Sequence, residues 1–198
     1  MAPARHSWLV VLKGAGVALI AGTIMTVAMT TKVNDAVGDV APLSPVAASP
    51  SARAAEPVRL RIPAIGVNSP IVRLGLNSDS TLGVPTTAMV AGWFTGSPAP
   101  GLLGPAIIDG HVHWNGQAGV FARLTALDYD DRILVIRSDG SRVTFRVTRV
   151  SRFSKKGFPS KLVYGDIDQA GLRLITCDGY DAHGHAYLDN LVVFAVMV

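Results

Sequence analysis

Two short runs hold the side chains best suited to covalent chemistry. Leu174-Ile175-Thr176-Cys177-Asp178-Gly179 ends an apolar stretch on the only cysteine in the 198 residues. Gly110-His111-Val112-His113 supplies imidazoles well before it. A thiol becomes a useful nucleophile when a neighbour stabilises its thiolate. A histidine can do that and then protonate the leaving group. Reference values of about 8.5 for Cys and about 6.5 for His let some pairs carry both reactive forms near neutral pH. A bland reading stands beside each residue. Free cysteine is among the most buried residue types, so Cys177 also fits a core position. His111 also fits a hydrogen-bonded structural histidine, and Asp109 and Asp178 fit turn or strand-end positions.

Metal chemistry finds less support. On one strand, His111 and His113 would share a face. A zinc site needs a third ligand, and His183 and His185 stand at no recognisable spacing. No acidic cluster of calcium-binding type stands out, and no cofactor is expected.

The elements that must position these residues read as short strands separated by turns, which predicts an all-β barrel or sandwich. Val58, Leu60 and Ile62 alternate with Arg59 and Arg61 and stop at Pro63. Further strands are expected over Met89–Phe94, Ala106–Trp114 and Arg132–Arg137. Asp139-Gly140 then turns the chain into Arg142–Val150, where Val143, Phe145 and Val147 would face the core. Leu172–Thr176 and Leu191–Val198 are apolar enough for central strands. Helical spacing is confined to Val120–Leu127.

Residues 1–31 read as an N-terminal membrane anchor. The apolar run Gly14–Thr31, extended back through Trp8–Leu12, exceeds the ~20 residues that cross a bilayer. It is longer than the ~7–15-residue core of a cleaved signal peptide, the competing reading. Arg5, Lys13 and the free amine precede the span, while Lys32, Asp35 and Asp39 follow it, so the N-terminus is expected in the cytoplasm and the remainder outside. In that compartment most cysteines pair, which makes one unpaired cysteine informative. Residues 32–56, rich in Ala, Pro and Ser with no aromatic residue, read as a disordered tether. Residues 57–198 form the folded domain. The net charge is +4, but the basic residues are scattered, which argues against nucleic-acid binding.

The ordered set of motifs resembles the sortase family, and most closely the class F-type sortases of high-GC Gram-positive bacteria. It comprises Arg59–Val67, Thr81–Pro85, Gly92-Trp93, Gly104–Ala106, Gly110–Val112, Val120-Phe121 and Phe158-Pro159. Leu174–Gly179 and Tyr187–Val193 complete it. The resemblance implies a closed β-barrel of about eight strands with short helices. It also implies a cysteine transpeptidase. Cys177 would attack a C-terminal LPXTG-like sorting signal of a secreted protein, between Thr and Gly, forming a thioester. His111 would protonate the departing amine, and an amine acceptor such as a peptidoglycan precursor would resolve the thioester. The cell membrane is the implied location. One position departs from the family: where it carries an arginine downstream of the cysteine, this chain has Leu188. Arg173, in strand phase with Cys177, and His185 or Tyr187 are the substitutes available, and Arg173 is expected to face solvent. A non-catalytic envelope-binding module with the same fold is the alternative. A cysteine L,D-transpeptidase would need a Ser-His-Gly-Cys run, which is absent.

Overall fold

The computed structural model describes residues 55–198. The expected anchor over 1–31 and nearly all of the expected tether lie outside them. Among the described residues, no helix is long and apolar enough to cross a membrane.

Ten strands follow in order: β1 (Pro57–Ile62), β2 (Val67–Leu74), β3 (Ala91–Phe94), β4 (Gly104–Asp109), β5 (His113–Trp114), β6 (Gln117–Ala118), β7 (Arg132–Arg137), β8 (Arg142–Ser154), β9 (Ala170–Asp181) and β10 (Ala186–Met197). Eight of them close a barrel in the order β1-β2-β3-β4-β9-β10-β8-β7, and β5 and β6 pair separately. β3 runs parallel to β2, and β9 parallel to β4. The other barrel pairs are antiparallel. The all-β expectation with short helices holds: one five-residue helix, α1 (Ser160–Tyr164), and three 3-10 turns complete the described chain.

The period-2 patterns set most of these strands. Leu60 and Ile62 of β1 are fully buried. Val58, expected beside them, is 43% exposed. A register shift between Pro57 and Arg59 on β7 turns it outward and buries Pro57 instead. Pro63 then opens a 3-10 turn, and Gly66 closes it in the left-handed region at φ 71°. Asp139-Gly140 joins β7 to β8, and Val143, Phe145 and Val147 face the core as expected. The helical spacing after Val120 yields only a 3-10 turn at Leu124–Ala126.

β9 is buried continuously from Gly171 to Cys177, because both of its faces are covered. Leu172 and Leu174 point into the barrel, with Phe121, Ile133 and Phe145. Ile175 and Cys177 point outward into a second apolar cluster with Ile107, Val163, Val192 and Phe194. The long connection from β8 to β9, which includes α1, supplies Phe158, Val163 and Tyr164 to that cluster.

Candidate active site

β4 carries His111 to the end of β9. The parallel register sets Asp109 opposite Ile175. Beyond β4 the pairing is continued by other bonds. The Gly110 N–H donates to the Ile175 carbonyl at 3.2 Å, and Thr176 Oγ1 donates to the Gly110 carbonyl at 2.7 Å. Continued for two further steps, the same register would set His111 level with Cys177. Glycines permit the crossing. A Cβ on Gly110 would lie 2.6 Å from Val120 Cγ1, and one on Gly119 would lie 2.0 Å from the His111 carbonyl oxygen. That carbonyl accepts from the Phe121 N–H at 2.9 Å. The Val120-Phe121 run therefore braces the histidine loop, a role its spacing alone did not suggest.

His111 is buried. Its Nε2 lies 2.7 Å from the Pro85 carbonyl oxygen, and its ring stacks on Trp114 with centroids 4.4 Å apart. A carbonyl only accepts, so Nε2 carries a proton. Nδ1 is then the nitrogen at which the protonation state can change. The expected strand over Ala106–Trp114 is broken between β4 and β5, so His111 and His113 do not share a strand face. His113 is exposed, with Nδ1 3.3 Å from the Tyr187 hydroxyl. Among the described residues, no three His, Cys, Asp or Glu side chains form a metal-binding group.

Cys177 is 8% exposed. Lys155, opening the 3-10 turn Lys155–Gly157 after β8, donates from Nζ to its Sγ at 3.5 Å. Burial pushes the thiol up to about 11, and the nearby Lys155 charge opposes that rise. On β10, Asn190 is the direct partner of Cys177; it is buried, and its Oδ1 has no hydrogen-bond partner among the described residues. Directly opposed residues project on the same face. Lys155 also borders a groove of about 670 Å³ lined by Tyr180, Tyr187 and Leu188 among others, to which neither Cys177 nor His111 contributes.

The residue expected where the family carries its arginine is Leu188. Leu188 is 53% exposed on the Cys177 side of β10 and has no charge to offer. Arg173 does not take its place. It is four residues from Cys177 along an extended strand, roughly 13 Å. The expectation of a solvent-facing Arg173 is also overturned. It is 6% exposed, donates to the Leu172 carbonyl at 3.1 Å, and lies 4.7 Å from the centroid of the Phe194 ring. Burial and the neighbouring Arg149 lower its pKa to about 10. Its aliphatic stem and guanidinium fill the outer cluster, where an extended strand covered on both faces leaves no solvent side. Arg173→Ala is therefore expected to leave the acylation rate of Cys177 unchanged, as followed by mass spectrometry. A loss as large as that of Cys177→Ala would reverse this assignment.

Asp109 ends β4, the strand-end position expected for it, and it is buried there. It is 1% exposed, and neither carboxyl oxygen has a hydrogen-bond partner among the described residues. Burial raises its pKa well above 3.8, with the Lys155 charge pulling the other way. A carboxyl whose folded pKa is raised contributes stability below its unfolded pKa and loses it as pH rises through the folded value. The domain should therefore lose stability as pH climbs above the ordinary carboxylate range near 3.8, and Asp109→Asn should flatten that slope. Urea melts across this pH range measure it; parallel pH profiles for the two proteins would exclude Asp109 as the source.

Residues 60–198 match the sortase domain family. The chain belongs to the sortase family. No curated protein sequence matches this sortase significantly. Among solved structures it is similar to sortase A from Corynebacterium diphtheriae, at 24% identity over 74% of this chain and TM-score 0.56. It is similar to sortase C-1 from Actinomyces oris at 21% identity over 72% of this chain, TM-score 0.58, and to Streptococcus pneumoniae sortase C at 19% over 72%, TM-score 0.55. The matched region spans 63%, 75% and 67% of those chains. At these identities the likeness concerns the fold. The family itself implies cysteine transpeptidase chemistry, and this sortase has one cysteine with which to do it.

Proposed function

We propose that this protein is a membrane-anchored transpeptidase of the class F type that cleaves an LPXTG-like sorting signal through Cys177. The thiolate attacks the carbonyl of the Thr–Gly bond. A C–S bond forms, the C–N bond breaks, and His111 gives its proton to the departing amine. An acceptor amine, such as that of a peptidoglycan precursor, then attacks the thioester. Its proton goes to His111, and the sulfur leaves as thiolate. Dividing the exchange into two acyl transfers replaces one difficult step with two easier ones.

The observation that carries this reading is the parallel run of β4 on β9, which brings the only cysteine and an imidazole whose Nδ1 can change its protonation state to one end of the barrel. A groove bordered by Lys155 and Tyr187 leads up to the lysine that contacts the sulfur, and it is where an extended peptide would lie. Streptococcus pneumoniae sortase C is described in terms of pilin substrate specificity. A protein substrate bearing a sorting signal agrees with that class of partner. The anchor expected over residues 1–31 would hold the domain on the outer face of the cell membrane, within reach of secreted proteins and wall precursors.

The test is mass spectrometry of the protein incubated with a panel of sorting-signal peptides. An adduct of the N-terminal peptide fragment on Cys177 is expected. The absence of any adduct, with Cys177 also inert to thiol reagents in the folded protein, would instead favour a non-catalytic binding module. Two observations favour that second reading: the uncharged Leu188 and the raised thiol pKa.

A further inference from the structure

We propose that Lys155 is the catalytic cation of this sortase, standing in the turn that follows β8, next to Leu188, the residue expected where the family carries arginine. The inference rests on the transpeptidase reading for its role in turnover, and on the coordinates alone for its contact with the thiol.

The ladder between β8 and β10 locates the exchange. Asp189 pairs with Ser154, so the next step of that antiparallel register sets Lys155 opposite Leu188. The charge missing from β10 is thus supplied from the facing end of β8. An ammonium group has donors only, and Lys155 Nζ aims one at Cys177 Sγ over 3.5 Å. Leu188 and Lys155 also border the same groove. A substrate carbonyl attacked by Sγ would place its oxygen one bond from the new C–S bond. The ammonium charge would then follow the negative charge as it moves from sulfur to that oxygen. Lys155 moves no proton, and the balance of the two acyl transfers is unchanged.

The surroundings leave this charge effective. Arg152 of β8 already holds Asp178 at 2.6 Å. Asp109 of β4 is driven towards its neutral form by burial, and the phenol of Tyr187 on β10 is held neutral by burial and by the nearby thiol. Tyr164 of α1 is likewise pushed upward, so neither tyrosine competes for the ammonium. His111 serves the leaving amine. An opposite charge within ~4–6 Å typically moves a titrating group by 1–3 units.

The test is the pH–rate profile of iodoacetamide alkylation of Cys177 in the full chain, which needs no peptide. Lys155→Met should move the profile up by at least about one unit, slowing alkylation at pH 8 about tenfold or more. Lys155→Arg should keep the profile near that of the wild type, and Lys161→Met on α1 should not shift it. Lys155→Gln checks that the shift follows the charge and not a folding defect. With a sorting-signal peptide, Lys155→Met should also acylate more slowly, and adding Leu188→Arg should recover the rate. A Lys155→Met profile that superposes on the wild type, in a protein with unchanged circular dichroism, overturns the proposal. If alkylation depends on Lys155 but no peptide ever acylates the wild type, the transpeptidase reading fails and the lysine–thiol pairing stands. If acylation proceeds equally well without Lys155, the lysine's catalytic role fails alone.

Discussion

Cys177→Ala should form no acyl adduct with any sorting-signal peptide, and the variant should fold. The thiol is the only sulfhydryl in the chain, so the same variant should take up no thiol reagent at all. The comparison is clean because the substitution removes little. Cys177 sits on the outer face of β9 with Ile175 and Val192 around it. Deleting one methylene-sized group there costs about 0.8 kcal/mol of burial, small against the backbone ladders to β4 and β10 that hold the strand. Cys177→Ser should be equally silent. A buried hydroxyl beside Lys155 keeps the shape and the hydrogen bond but has no comparable anion near neutral pH. Intact-mass spectra after incubation with peptide, together with thermal melts, decide the matter. An adduct that persists in Cys177→Ala would place the nucleophile elsewhere and end the sortase-type mechanism for this chain.

The ease of reading differed from residue to residue for physical reasons. Cys177 and His111 were visible because their types are chemically conspicuous and each follows an apolar run, Leu172–Thr176 or Ala106–Ile108. The Asp139-Gly140 hairpin was visible because that dipeptide tolerates the positive φ of a tight turn, here 81° at Gly140. Val58 misled because alternation says nothing about a register shift, and one extra residue flips the face. The stretch through His113 misled because apolar continuity cannot reveal that β4 ends at Asp109, where the chain leaves the barrel for the β5–β6 hairpin. Arg173 looked solvent-facing because alternation with leucines suggests a half-buried strand, whereas β9 is covered on both faces. Lys155 had no signal at all. It is one of two adjacent lysines in a polar turn, and its partnership with Cys177 joins residues 22 apart in sequence through the ladders of β8, β10 and β9.

The site also resolves an apparent conflict between its parts. A buried thiol with a pKa near 11 suits a core residue better than a nucleophile. The same burial drives Asp109 towards its neutral form, which weakens its repulsion of the thiolate, although Asp109 and Asp178 both still push the thiol pKa upward. Burial also removes water that would screen Lys155, which strengthens its attraction for the sulfur. What remains is an electrostatic balance that a peptide laid along the groove could tip further by excluding more solvent.

His111 carries the second large prediction. His111→Ala should slow acylation by an amide-linked sorting signal by about a hundred- to ten-thousandfold, the usual worth of a positioned general acid. The argument begins with how the ring is held. The Pro85 carbonyl fixes a proton on Nε2, Trp114 covers one face, and Gly119 lets the opposite strand close over the backbone. A ring held this firmly cannot be replaced by solvent at comparable effective concentration. If its work is to protonate the departing amine, the loss should depend on the leaving group. An ester analogue of the Thr–Gly bond releases an alkoxide-type group under far less demand for a proton from a strong acid than an amide does, so it should suffer a much smaller loss in His111→Ala. Added imidazole should recover part of the amide rate by entering the space left against Trp114. Single-turnover acylation of Cys177 with matched amide and ester peptides measures both effects. Equal losses on the two substrates would mean that His111 only shapes the loop, and the proton for the leaving amine would have to come from another group.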